Sequence, residues 1–376
     1  MKFDIWNDYP KIPLPDVLSF IVDNRGKTVP TTEEGHILIA TNCVRNENLY
    51  PSYEKIRFLS EETYQNWFRA HPLPGDILFV CKGTPGRCCL VPDPLDFCIA
   101  QDMVALRVNS DIIYNYYLLA VLRSRDIQLQ IANTSVGDVI PHFKKSFFDR
   151  IMIPVPPIEI QKLIGDYYID FSNKIELNKK INENLQQQAQ AIYCDMFITN
   201  ANPSWQLGRL SDLITVRYGK DHKKLADGIY PVYGSGGVMR YVEKPLYDKE
   251  SVLIPRKGTL NNVMYVNKPF WSVDTMFFTE MKLPNVAKFV FHFVKSKDLA
   301  SLNAGSAVPS MTTDILNAME LPIPDADTFY KFENIVAPLY QAMQQNTQES
   351  SKLAELRDSL LPRLMSGELD VSELDI

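Results

Sequence analysis

The sequence predicts an α+β chain built as a pseudo-twofold tandem repeat. Two similar mixed α/β modules are separated and joined by two long antiparallel coiled-coil helices. Three observations predict this: one set of short motifs occurs twice, each copy ends in a Pro-x-Pro element, and each Pro-x-Pro opens a long run of apolar residues at coiled-coil spacing. At 376 residues the chain is long enough for two domains, each with its own core.

The repeat is read from fixed offsets. Gly137-Asp-Val-Ile-Pro141 matches Gly305-Ser-Ala-Val-Pro309 at 168 residues, and Pro154-Val-Pro156 falls on Pro322-Ile-Pro324 at the same offset. Upstream, Asp76–Thr84 resembles Ser251–Thr259 at 175, and Asp102 matches Asp274 at 172. The drift implies small loop deletions in the second copy. Within each copy, β-rich runs bounded by Gly, Pro and Asn predict strands at Ile77–Val80 and Met103–Val108, and at Val252–Ile254 and Val263–Val266. Helical patterns follow near Tyr114–Arg125 and Ala287–Leu299. The prolines then forbid helix until the residues beyond them.

After the first Pro-x-Pro, Ile164, Tyr168, Phe171, Ile175, Asn178, Asn182, Leu185, Ala189, Ile192 and Met196 step by four and three. Adding 168 gives Phe332, Val336, Leu339, Met343, Asn346, Ser350, Leu353, Arg357, Leu360 and Leu364. A period of 3.5 residues held over four heptads predicts a narrow seam, and 40 residues of helix make a rod of roughly 60 Å. The simplest assembly packs the two repeat helices on each other; the alternative packs each on its own module. Asn178 and Asn346 are polar seam positions, which fix register at a cost in stability. Arg357 makes the second seam the poorer one, and Pro338 is expected to kink or split the second helix.

Composition narrows the classes. Aromatic content of 11% with 22% charged residues excludes a largely disordered chain. No run of about 18 apolar residues and no basic-then-apolar leader is present, so a cytoplasmic protein is expected. Six unevenly placed cysteines do not form a disulfide framework, and without C-x-x-C spacing they read as buried and reduced rather than metal-binding. Net charge is −6, but residues 201–324 carry +4 and the tail 325–376 carries −6, so the total does not decide the partner.

No catalytic constellation is found. Val155-Pro-Pro-Ile158 lacks the leading polar residue and the aromatic of an amino-methyltransferase loop, and Gly234-Ser-Gly-Gly237 lacks phosphate-loop spacing. Asp221-His-Lys223 has no upstream carboxylate partner and reads as a polar loop. What remains are binding surfaces. Both copies place Lys-Gly-Thr directly after an apolar strand, at Lys82–Thr84 and Lys257–Thr259, with Arg87 and Arg256 nearby. Such a loop suits close approach to a phosphate or base edge. The first copy adds the stretch Asn24–Thr28 with Arg25 and Lys27, then Asn42, Arg45 and Gln101; the second adds Tyr233, Ser235, Arg240, Asn261 and Asn262.

These residues resemble a known family, the specificity subunit of type I DNA restriction–modification systems. The resemblance covers essentially the whole chain. It rests on Ile151–Gln161 running into Lys174–Leu185 and Ala189–Ile192, on Tyr233–Gly237 and Val252–Thr259, and on Leu360–Leu369. It implies target-recognition domains at 1–153 and 201–322, a central spacer helix in 154–200, and a distal spacer helix with an acidic tail in 323–376. It further implies that each domain reads half of a split site in double-stranded DNA. In that family two methylase subunits carry the S-adenosylmethionine chemistry, and restriction/translocase subunits use ATP and Mg, so no cofactor, metal or catalysis is expected on this chain. The competing reading is a tandem ligand- or peptide-binding scaffold on a coiled-coil stalk, without nucleic acid.

Overall fold

The computed structural model describes residues 3–24, 26–134, 141–302 and 310–369. The chain divides into two compact units, Met1–Lys180 with Gln345–Ile376, and Ile181–Gln344. Each unit therefore contains one module and part of each long helix.

The first module holds a four-stranded antiparallel sheet in the order Leu18–Asp23, Met103–Val108, Ile77–Val80, Cys88–Leu90. Beside it lies a three-stranded sheet ordered Arg57–Leu59, His36–Ile39, Phe97–Ile99, whose last pair is parallel. Alternation builds two cores from one strand. Ile77 and Phe79 enter the core shared with the helices, while Leu78 and Val80 enter the one between the sheets. A strand buried on both faces reads as an unbroken apolar run, as this one does.

The second module repeats the plan. Its sheets run Ile214–Tyr218, Met276–Met281, Ser251–Pro255, Met264–Val266, and Gly237–Val242, Asp227–Gly234, Trp271–Ser272. Val252 and Ile254 face the helical core and Leu253 the other. The helices Asn115–Arg123 and Ala287–Lys295 lie at matching places, close to the spans read from periodicity.

Each Pro-x-Pro begins inside a short antiparallel pair. Met152–Pro154 pairs with Lys11–Pro13, and Glu320–Ile323 pairs with Gln206–Arg209. Proline then ends the strand, and helices Ile158–Cys194 and Ala326–Met365 follow. In the first unit Ile5 N–H donates to Met365 O, at the end of the distal helix, at 2.8 Å.

The 4,3 spacing serves two purposes. Ile164 and Tyr168 are buried in the first unit's core, and Phe332 and Val336 in the second's, so these positions hold helix to module. Leu339, Met343 and Ile192 pack against the second core from its edge. Phe171, Ile175, Leu185, Asn346, Leu353 and Leu360 are half-buried. Polar helix-to-helix contacts in the first unit run antiparallel. Buried Asn178 donates through Nδ2 to Glu349 Oε2 at 2.7 Å and lies 3.3 Å from Ser350 Oγ and 3.4 Å from Asn346 O. In the second unit Asn182 Nδ2 donates to Met343 O at 3.2 Å. Both arrangements considered from the sequence thus hold together.

The two departures read in the second helix are accommodated. The distal helix is not split at Pro338: it runs unbroken over Ala326–Met365. Pro338 and Asn334, whose carbonyl lacks the N–H partner, are both exposed, so water can serve that carbonyl. Arg357 does not leave a bare charge in the seam. It is 6% exposed, its guanidinium lies 5.2 Å from the Tyr168 ring centroid, and it donates to Ser172 Oγ at 3.2 Å and Asp358 Oδ1 at 2.8 Å.

Candidate nucleic-acid interface

The Lys-Gly-Thr elements are built alike. In the first module Cys81 N–H and Lys82 N–H both donate to Asp102 O, at 2.8 and 3.2 Å. In the second, Arg256 N–H and Lys257 N–H donate to Thr275 O at 2.9 and 3.2 Å. The backbone counterpart of Asp102 is therefore Thr275, which corrects the sequence alignment to Asp274 by one residue. Gapped repeats are aligned more securely by hydrogen bonds than by a single shared residue type.

Each loop is then pinned by chain from beyond the Gly-x-x-[Ile/Val]-Pro motif. Lys82 bridges to His142, with Phe143 N–H donating to Cys81 O at 2.8 Å. Lys257 bridges to Ser310, with Met311 N–H donating to Arg256 O at 2.9 Å. The motif residues 137–140 and 305–309 lie outside the described residues, as does Arg25. The glycines are required by conformation: φ is +87° at Gly83 and +84° at Gly258. Lys82 and Lys257 are exposed cations, Thr84 is half-buried and Thr259 exposed. The following turn closes on Thr84 O with Arg87 N–H at 3.3 Å, and on Thr259 O with Asn262 N–H at 3.1 Å. Arg87 and Asn262 thus occupy one place and offer different chemistry.

In the second module the loop meets the Asp227–Val242 hairpin. Asn262 Nδ2 donates to Ser235 O at 2.7 Å, and the hairpin turn follows half-buried Tyr233. Arg256 stacks its guanidinium 5.4 Å from the Tyr218 ring centroid and donates to Asp274 O at 3.2 Å. Asn261 is engaged with Asp298 at 3.0 Å and with Ala300 N–H at 3.0 Å. Arg240 is engaged with Asp227 at 2.6 Å and Leu225 O at 3.1 Å. In the first module the corresponding turn is a longer loop, in which Asn42 donates to Glu54 O at 2.6 Å and Arg45 pairs with the Glu54 carboxylate at 2.7 Å. Lys27 is exposed, and Gln101 Nε2 lies 3.5 Å from Thr28 Oγ1.

Sequence reasoning did not point to Lys144 or Lys145, whereas Asn24 opens the Asn24–Thr28 stretch already read as a binding surface. Together with Asp23, Gln101 and His142 they line a cavity of about 370 Å³ beside the first Lys-Gly-Thr loop.

The thiols do not suit nucleophilic chemistry: burial pushes Cys81 and Cys98 up to about 12. Asp221 accepts from Lys223 N–H at 3.1 Å in a local turn, and that hydrogen bond lowers its carboxyl from the ordinary value. Among the described residues no group of three His, Cys, Asp or Glu side chains is placed to hold a metal ion. Nor is any described helix long and apolar enough to cross a membrane.

The profile of the family described as "Type I restriction modification DNA specificity domain" matches residues 27–187 and 202–355. The chain belongs to this family. It is 22% identical over 344 residues to the type I restriction enzyme MjaIX specificity subunit of Methanocaldococcus jannaschii, covering 80% of this chain and 79% of the relative. It is 20% identical over 409 aligned positions to the HindI specificity subunit of Haemophilus influenzae, covering 78% and 86%. Among solved structures, the S subunit of a type I restriction–modification system from M. genitalium shares its fold, with TM-score 0.58, 19% identity, and coverage of 95% and 96%. The doubled family match coincides with the doubled loops, and the scaffold reading without nucleic acid loses its support.

Proposed function

We propose that this chain reads a bipartite double-stranded DNA site, one half per module, and brings partner subunits to it. The observation that carries the reading is the Lys-Gly-Thr loop, made twice with the same backbone bonds inside two family-matched segments. Lys82, Lys257, Arg87 and Arg256 position phosphates, a contribution that salt weakens. Amide and hydroxyl groups of the same loops, Thr84 and Asn262 among them, read base edges. The helices set the gap between the halves, and tethering makes the second encounter intramolecular.

On this reading the chain is a non-catalytic cytoplasmic subunit. Two methylase subunits bring S-adenosylmethionine, and restriction subunits bring ATP and Mg. The half-exposed apolar side chains Leu163 and Tyr167, with exposed Ile158, are suited to covering by such partners. The test is enrichment of duplexes from a random pool by the chain with its methylase, at two salt concentrations. A split motif with a constant gap, bound more weakly at higher salt, is expected; a folded complex that enriches no motif would overturn the reading.

A further inference from the structure

We infer that the first module reads the exocyclic amino group of an adenine or cytosine through Asn24 and Gln101, a task the second module does not share. The inference rests on the split-site reading above and assigns one base contact within it.

Two acceptors of the first module are unmet. Asn24 is 4% exposed, and its Nδ2 donates to Ile99 O, which orients the amide and leaves Oδ1 without a partner. Gln101 Oε1 is likewise buried and unpartnered. Both residues line the 370 Å³ cavity. Buried amide oxygens are normally hydrogen-bonded, and leaving them unmet costs stability, so two in one cavity call for a ligand that brings N–H donors. The surroundings fix the class. Lys144 and Lys145 line the same cavity with Asp23, which pairs with Lys145, and exposed Asp102; exposed Lys82 leads the loop alongside it. Amino donors beside an anionic backbone describe a nucleotide. In the major groove the N–H donors of the base edges are adenine N6 and cytosine N4.

The second module shows why the contact belongs to one half alone. Val80 pairs with Met103 and Pro255 with Met276, while Asp23 pairs with Val104 and Tyr218 with Phe277. Asn24 therefore corresponds to Gly219, and Gln101 to Asp274. A Cβ at Gly219 would fall 2.0 Å from Val273 O, so no side chain can stand there. The two amide groups are replaced by a glycine and a carboxylate, and the two modules present different edges at one backbone place.

The experiment uses the chain with its methylase and the enriched split site. Gln101→Met removes the acceptor at similar volume, whereas Gln101→Glu keeps one. We expect Gln101→Met to weaken the preference for adenine or cytosine at one position of one half by about tenfold, with the other half unchanged and Gln101→Glu closer to the parent. A second arm needs no variant: the same adenine replaced by purine, or cytosine by 2-pyrimidinone, removes only the amino group. The parent complex should lose about tenfold on that analogue, and Gln101→Met should lose little more. Equal binding of analogue and natural base by the parent at every such position, or an unchanged preference in Gln101→Met, would overturn the inference. A parent complex that selects no split motif would instead overturn the reading on which it rests.

Discussion

The two units fasten helix to module by opposite means at one repeat position. In the first unit the central helix carries Gly165, where a Cβ would fall 2.7 Å from Tyr117 N, so the helix backbone itself comes close to helix Asn115–Arg123. In the second unit, 168 residues on, stands Glu333. Its carboxylate accepts from Lys288 Nζ at 2.6 Å, and Lys288, buried on helix Ala287–Lys295, also reaches Glu250 at 3.2 Å and the faces of Tyr265 and Tyr340. Close packing needs no desolvated charge but tolerates no side chain; an ion pair spans a wider gap but fails if one partner is lost. A duplicated scaffold thus keeps its topology while its contacts diverge, as its Lys-Gly-Thr loops do.

A second contrast lies along the helices. Arg357 in the first unit is housed by Tyr168 and Ser172. The second unit uses His292, which is fully buried. Its Nδ1–H donates to Gln190 Oε1 at 2.8 Å, and Tyr340 O–H donates to Nε2 at 3.0 Å. Both ring nitrogens are thus satisfied in the neutral form. Burial, with a smaller contribution from Lys295, pushes the imidazole down to about 4.

These contrasts can be broken in order of expected effect. Four residues inserted after Asn178, with no match near Asn346, shift the seam by a turn on one helix alone. The single preferred gap should be lost or changed in duplex selection, and unchanged site selection and stability would count against a helical ruler. Next, Glu333→Ala leaves Lys288 short of its nearer partner. It should cost about 3 kcal/mol, read as lost hydrogen-exchange protection in Ala287–Lys295, and Glu333→Leu with Lys288→Met should recover most of it. Acid acts on the same unit. The unfolded chain protonates His292 near 6.5 and the folded chain near 4, so the unfolded state binds more protons between them. Stability of the second unit should therefore fall as pH drops through that window, by on the order of 3 kcal/mol, and His292→Gln should flatten the slope in denaturant titrations. Smallest is Gly165→Ala, expected to cost about 1–2 kcal/mol by overpacking and to lower protection in the first unit alone.

Much of the fold was legible because its signals are local or periodic. The strands Ile77–Val80 and Met103–Val108 stand where alternation and turn residues put them, and both long helices begin just beyond Pro-x-Pro. Pro338 misled because its penalty depends on whether the orphaned carbonyl faces water, which periodicity does not state. The partners of Arg357 were not legible because its compensating ring and hydroxyl come from the other helix, 185 residues away at Ser172. The Lys-Gly-Thr loops were legible as repeated motifs, but their pinning to His142 and Ser310 is long-range pairing. Asn24 was legible as part of a candidate stretch, but its unmet acceptor is visible only once every neighbour is placed.

The most direct test exchanges modules. Residues 1–153 are replaced by the corresponding module of a family member with a different split site, leaving both helices and the second module intact, and duplexes are selected with the methylase present. One half of the motif should change to the donor's while the other half and the gap stay as they were. A motif altered in both halves, or unaltered in either, would contradict the claim that each module reads its own half.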